Sequence, residues 1–165
     1  MAGEITQSRL RDVLRYDPAT GEFAWLIRPS IGIKVGDIAG TIDGRGYVRI
    51  GIDGAIYRAH RLAWLFVFGS WPSQEVDHIN GDKADNRIAN LRDATRALNQ
   101  QNQRGMRSTT GSGLLGVSRH TASGKWRARI WTEGRNKSLG LFATADEAHI
   151  AYVAAKRELH EGCTL

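Results

Sequence analysis

The sequence predicts an α+β protein in two parts. Residues 1–104 read as a mixed domain of helices and short hairpins, and residues 113–161 as a three-stranded antiparallel sheet packed on one helix. Two observations carry this reading. Short apolar alternations punctuated by glycine recur along the whole chain, with helical periodicity only in brief stretches. Between the two parts, Gln100 to Gly113 offers almost nothing to bury, and its Gly/Ser/Thr-rich second half has linker composition, placing a linker at 105–112.

Taken in order, Ile5 to Arg15 carries Ile5, Leu10, Val13 and Leu14 on one side of an amphipathic helix. Tyr16 to Gly21 is a turn with Pro18 and Gly21, and Glu22 to Ile27 reads as a strand. Further β-type runs are expected at Asp37–Thr41, Tyr47–Ile52 and Ala55–Ala59, the last two joined by a type I′ signal, Asp53-Gly54. Tyr47, Arg49 and Gly51 alternate with Val48, Ile50 and Ile52, which gives one wet and one buried face. Arg61 to Gly69 is apolar all round and reads as a buried helix, ended by Trp71-Pro72. Glu75–Asp77 and Arg92–Ala94 are expected short strands, Asn80–Asn86 a turn-rich loop, and Thr95–Gln103 a polar helix. In the second part, Leu115–Arg119, Trp126–Thr132 and Arg135–Phe142 read as strands. Thr144-Ala145-Asp146-Glu147 is a capping-box sequence opening a helix whose Ala148, Ala151, Tyr152, Ala155 and Leu159 form one stripe.

The 165 residues are 41% hydrophobic and 8% aromatic, enough for real cores. Residues 1–104 hold 14 basic and 12 acidic side chains, whereas Arg107 to Lys137 holds seven basic and one acidic, Glu133. A local basic stripe suits a polyanionic partner. One cysteine, Cys163, excludes an internal disulfide and a cysteine-based metal cluster, so no structural zinc is expected. Met1-Ala2-Gly3-Glu4 lacks the flank of a secretory signal, and no apolar run approaches a membrane span of about 18 residues. A soluble protein of the cytoplasm, not secreted and without a membrane partner, is the expectation.

The chemistry concentrates in Val76 to Leu91. Asp77 and His78 are adjacent, and Asn90 and Asn99 follow 12 and 21 residues after the histidine. A carboxylate and carboxamides are oxygen donors that suit a hard cation such as Mg²⁺, with Mn²⁺ as substitute. An imidazole beside them is a general base, and the combination suits phosphodiester hydrolysis. On a regular strand Asp77 and His78 point opposite ways, so sharing a pocket requires a strand end. Asp82, Asp85 and Asn86 read as a solvated loop, with extra ligands as the other reading. His60 and Arg61, at the start of the buried helix, read as cap or core residues, with a phosphate contact as the other reading.

These residues resemble the HNH nuclease family, whose unit is two short strands and a helix around one metal. The acidic ligand falls on Asp77, the first histidine on His78, the middle asparagine on Asn90 and the third letter on Asn99. That third position is histidine in many members and asparagine in a phage and intron-encoded homing branch. Gly46-Tyr47-Val48-Arg49-Ile50 and His60-Arg61-Leu62-Ala63 are similar to the lead-in of that branch. The resemblance implies a ββα-metal core at about 74–104, Asp77 and Asn99 on one Mg²⁺, His78 as base, and Asn90 bonded to backbone near His78.

In Trp126-Arg127-Ala128-Arg129-Ile130-Trp131, alternation places Arg127, Arg129 and Trp131 outward for base contacts, with Arg119, Lys125, Arg135 and Lys137 as expected phosphate contacts. Gly116-Val117, Gly124-Lys125-Trp126, Leu139 to Phe142 and Thr144 to Tyr152 resemble the APETALA-type (ethylene-response-factor) DNA-binding domain. Leu115 and Ser118 replace arginines of that family, and Ser138 replaces a tryptophan, so the resemblance implies fold and DNA binding but not the target sequence. The expectation is a homing-type DNA nickase acting on double-stranded DNA as a monomer or weak dimer. The rival is a catalytically silent DNA-binding regulator that keeps the scaffold.

Overall fold

The computed structural model describes residues 4–102 and 112–163. Apart from Ser112, the expected linker at 105–112 lies outside the described residues. The chain is mixed α and β and divides into two compact units, residues 1–96 and 97–165. That division falls at the start of the polar helix, whereas the composition shift follows it.

In the first unit, Thr6 caps α1 (Gln7–Val13), its hydroxyl accepting the Arg9 N–H at 3.2 Å. The helix was expected to reach Arg15 but stops at Val13. Leu14 and Tyr16 are both buried around an exposed Arg15, an alternation only a strand provides. β1 (Leu14–Tyr16) pairs antiparallel with β2 (Phe23–Trp25), Leu14 opposite Trp25. The expected strand Asp37–Thr41 reduces to a single bridge between Ile38 and Ala24, followed by β3 (Thr41–Ile42). Gly40 interrupts the run at φ 111°, where a Cβ would stand 2.7 Å from the Val48 side chain.

β3, β4 (Val48–Ile52) and β5 (Ala55–Arg58) form a meander. Asp53 and Gly54 between the last two have φ of 51° and 80°, the type I′ geometry that matches strand twist. α2 (Ala59–Phe68) follows directly. It is not buried all round: Leu62, Ala63 and Leu65 enter the core, but Val67 and Phe68 are 40% and 54% exposed. Gly69 ends it at φ 78°, donating its N–H to Leu65 O at 3.0 Å. β6 (Glu75–His78) pairs antiparallel with β7 (Leu91–Ala94), and the chain between them ends in a 3₁₀ turn, Ile88–Asn90. The core of this unit joins Leu10, Leu14, Phe23, Ile50 and Leu62 from five elements to Val76 and Leu91 of the last hairpin.

α3 (Arg96–Gln101) leads into the second unit. There β8 (Val117–Arg119), β9 (Trp126–Thr132) and β10 (Arg135–Phe142) form an antiparallel sheet with β9 central. α4 (Ala145–Leu159) lies against all three strands. Thr144 and Glu147 cap it reciprocally: the Thr144 hydroxyl accepts the Glu147 N–H at 3.2 Å, and the Glu147 carboxylate accepts the Thr144 N–H at 3.2 Å. β8 starts at Val117 rather than Leu115, because Gly116 turns the chain at φ 76° beneath Tyr152, where a Cβ would stand 2.0 Å from the ring. Among the described residues no helix is long and apolar enough to cross a membrane.

Candidate active site

The β6–β7 hairpin positions the chemistry. His78 ends β6 opposite Leu91, and Asp77 stands opposite Arg92. Asp77 and His78 are 5% and 4% exposed, although neighbours on a strand face opposite ways, so the hairpin is covered on both faces here. A buried carboxylate needs a compensating partner. Arg92 supplies it across the strands, donating Nε and Nη2 to Asp77 Oδ2 at 2.9 and 2.7 Å. Sequence reasoning missed Arg92, though the hairpin register would have aligned it with Asp77.

His78 lies in a cluster of rings. Its imidazole meets that of His60 edge-on at 4.9 Å, and Tyr47 approaches both, at 6.1 Å from His78 and 5.4 Å from His60. His60 is 7% exposed on the second residue of α2, and its Nδ1 is buried without a hydrogen-bond partner. Its ring packs in the core against that of His78. Arg61 lies with its guanidinium 5.4 Å from the Trp71 ring centre. Tyr47 is flanked by two cations, Arg58 at 4.5 Å and Lys83 at 5.0 Å from its ring.

Burial pushes the His60 imidazole down to about 3, with the charges of His78, Arg61 and Arg58 adding to the effect. His78 is also lowered by burial, against the opposing pull of the Asn86 hydrogen bond and of Asp77, Asp82 and Asp85. Both rings are therefore neutral near pH 7. The stability consequence has a definite sign. Below the unfolded value of 6.5 the unfolded chain takes up a proton that native His60 refuses. The contribution is intact above that pH and is lost as pH falls, by up to about 1.4 kcal/mol per pH unit. Urea unfolding at about pH 7.5 and pH 5 should register this loss, and His60→Phe should flatten it.

The loop from Ile79 to Asn90 is tied to itself. Asn90 Oδ1 accepts the Asn80 N–H at 2.9 Å, and its Nδ2 donates to Asp85 O at 2.8 Å. Ile79 N–H donates to Asn90 O at 2.8 Å, and Gly81 N–H to His78 O at 2.8 Å. Asn90 therefore bonds backbone two residues beyond His78. Asp85 accepts Asn80 Nδ2 at 2.7 Å and Arg87 Nε at 2.8 Å, and the Arg87 guanidinium holds its carboxyl at about 2. Asn86 corrects the expectation of a solvated loop: it is 3% exposed, with Oδ1 3.5 Å from His78 Nε2. Nothing in the sequence distinguished it from the other Asn and Asp residues around it.

Asp77, His78 and Asn90 thus share one hairpin. Asn99 is half-buried on α3, in the second unit. In that unit the expected DNA contacts divide between two sheet faces. Arg127, Arg129 and Trp131 alternate with the buried Ala128 and Ile130, and Trp131 is 59% exposed. Arg127 is half-buried, its Nε unpartnered. Arg119, Lys137 and Arg135 pair with Trp126, Ile130 and Thr132, so they lie on the parity of the helix-covered face and project at its margins. Arg119 sits 5.0 Å from the Trp126 ring centre, Lys125 is exposed, and Arg135 lies 3.8 Å from Glu133.

Among the described residues no group of three His, Cys, Asp or Glu converges to cage a metal. Asp77 offers a buried carboxylate oxygen, the donor a hard divalent ion takes. One or two protein oxygens completed by water and phosphate are how Mg²⁺ is ordinarily held. The donor chemistry fits such an ion.

Residues 57–101 match the HNH endonuclease family model. That span contains α2, the β6–β7 hairpin and α3. Among solved structures, the chain is 32% identical to one described as "DNA binding and cleavage by the HNH homing endonuclease I-HmuI", with a TM-score of 0.42. The alignment covers 55% of this chain and 51% of that one, so this chain spans about half the length of that protein. No curated protein matches the chain.

Proposed function

We propose that the protein is a metal-dependent DNA endonuclease that hydrolyses phosphodiester bonds with His78 as general base, a reading supported by the match of residues 57–101 to the HNH endonuclease model. The observation that carries this is the burial of neutral His78 beside Asp77 at the end of one strand of the matched segment. A base must be unprotonated before the reaction, and burial provides that state. His78 takes a proton from the attacking water. Asn90 secures the turn after His78, and Arg92 fixes the Asp77 carboxylate. Asp77 would hold one Mg²⁺, or Mn²⁺ in its place, with Asn99 as the second ligand that the HNH resemblance implies; such an ion would supply neutralisation of the charge developing on the reacting phosphate and the leaving 3′ oxygen.

The second unit is the DNA-holding part of this reading, with the APETALA-type likeness supporting domains at 1–104 and 113–161. Arg127, Arg129 and Trp131 address base edges of double-stranded DNA, and Arg119, Lys125, Arg135 and Lys137 address phosphates. Arg129→Ala should weaken binding and, where the arginine neutralises a phosphate, flatten the slope of log affinity against log salt by about one, measured by fluorescence anisotropy. One active site per monomer cuts one strand per visit, which favours nicking unless the protein dimerises, and the homing-type reading is supported by the asparagine at position 99.

Incubation of supercoiled plasmid, including one carrying the gene's own flanking sequence, tests the proposal. Conversion to open circles in Mg²⁺ and none in EDTA is expected. Tight DNA binding with no nicking in any metal would identify the regulator instead.

A further inference from the structure

We infer that the turn after α4, His160 to Cys163, is a positioning clasp: it ties α3, the helix that carries Asn99, to β9, the strand proposed to address DNA. The inference rests on the reading of Asn99 as the second metal ligand, and it concerns what holds that ligand's helix in place.

The clasp is built on the end of α4. His160 caps the helix, its N–H donating to Lys156 O at 3.1 Å, and the chain then turns back, Cys163 N–H donating to His160 O at 3.0 Å. One side of this turn holds the sheet. His160 is buried, and its Nε2 lies 2.9 Å from Trp131 O. A carbonyl oxygen only accepts, so the ring nitrogen donates. The other side holds α3. Gly162 N–H donates to Gln101 Oε1 at 3.1 Å, across 61 residues of sequence. Gly162 is buried and backs directly on the helix: a Cβ there would stand 2.5 Å from Leu98 O and 3.0 Å from the Gln101 Cβ.

A helix this short needs such a hold. α3 spans six residues, Arg96–Gln101, and none of them is buried. Isolated helices below about 12 residues are marginal in water, so what docks on α3 decides where it stands. The contacts with the turn bracket Asn99. Leu98 O, just before it, meets Gly162, and Gln101, just beyond it, accepts the Gly162 N–H. The clasp also accounts for the division of the chain at the start of α3, which places that helix with the sheet. Asn99 and the DNA-facing strand thereby belong to one packed body. His160 and Gln101 tie its two ends, and the bare Cα of Gly162 lets turn and helix meet.

Gly162→Ala tests the clasp in the full chain, because the added methyl cannot share space with Leu98 O. The one cysteine, Cys163, is half-buried in the turn itself, so its reaction with a disulfide reagent reports undocking. In Gly162→Ala the thiol should react about tenfold faster, and amide exchange over residues 97–101, read by mass spectrometry, should rise by a similar factor. DNA affinity in Ca²⁺ should stay within about twofold, since Arg127, Arg129 and Trp131 are untouched. The Mg²⁺ concentration for half-maximal plasmid nicking should rise about 10–100-fold, with the rate restored at saturating Mg²⁺. Gln101→Ala should shift exchange and Mg²⁺ dependence the same way, which guards against a Gly162 variant that merely unfolds. Gln101→Glu keeps an oxygen acceptor for the Gly162 N–H and should stay within about twofold of the unmodified chain. Unaltered exchange over 97–101 in a folded Gly162→Ala chain would overturn the inference. So would raised exchange with unaltered Mg²⁺ dependence, where Asn99→Ala does shift that dependence. Unaltered Mg²⁺ dependence in Asn99→Ala would remove the ligand reading and leave the clasp standing on thiol reactivity and exchange, which need neither metal nor cleavage.

Discussion

Replacing His78 with alanine should slow DNA cleavage by at least about 10²–10⁴-fold, the usual worth of an aligned general base. DNA affinity should stay within about twofold, because a neutral base acts on the attacking water rather than holding the DNA backbone, and the proposed DNA contacts lie on the sheet of the second unit. His78 is 4% exposed, so the alanine variant also leaves a cavity between His60 and Tyr47. His78→Gln fills more of it and should share the catalytic loss with a smaller loss of stability. The measurements are single-turnover cleavage of plasmid, anisotropy binding in Ca²⁺ or EDTA, and thermal unfolding. Parallel losses of binding and cleavage in both folded variants would remove His78 from the role of base.

Gly21→Ala should be the most damaging small substitution in the first unit, despite standing far from His78 in sequence. Gly21 has φ 78°, and a Cβ there would lie 2.4 Å from Arg87 N and 2.5 Å from Asn86 C. The backbone conformation costs an alanine about 1–2 kcal/mol, and displacing packed backbone costs about 1–3 kcal/mol more. Gly54→Ala is the matched control: φ is 80° there, yet no atom lies within 4 Å of the added methyl, so only the conformational cost applies. Chemical denaturation should separate the two variants by the packing cost. Where Gly21→Ala still folds, the Asn86 peptide must move and cleavage should fall with it. Equal stability and equal activity for the two variants would show that the hairpin and the loop are uncoupled.

Much of the architecture was legible where one physical rule acts locally. The capping box at Thr144 and Glu147, the Asp53-Gly54 turn and the alternation in Trp126 to Trp131 each depend on a few neighbouring residues. What was misread depends on contacts across the chain. Leu14 and Tyr16 extend a helical pattern on paper, but pairing with Trp25 and Phe23 draws them into a strand. The apolar run of α2 gave no hint that Val67 and Phe68 would be exposed, since the sequence alone does not tell how much of a helix its neighbours cover. In the candidate site, Asp77, His78 and Asn90 carried a spacing signal. Arg92, Tyr47, His60 and Asn86 did not, because their relation to His78 is set by strand register, ring packing and the depth of a loop.

The loop from Ile79 to Asn90 has a consequence for how such a chain can vary. Asn80, Asp82, Asp85, Asn86 and Asn90 each bond to backbone or side chains within it, at separations of two to ten residues. Surface loops ordinarily absorb insertions and deletions. This one works as a gauge block, since each bond counts residues along the chain. One added residue between Asn80 and Asn86 would put several of these bonds out of step at once. Natural divergence here should proceed by exchanging letters while the distance from His78 to Asn90 stays fixed.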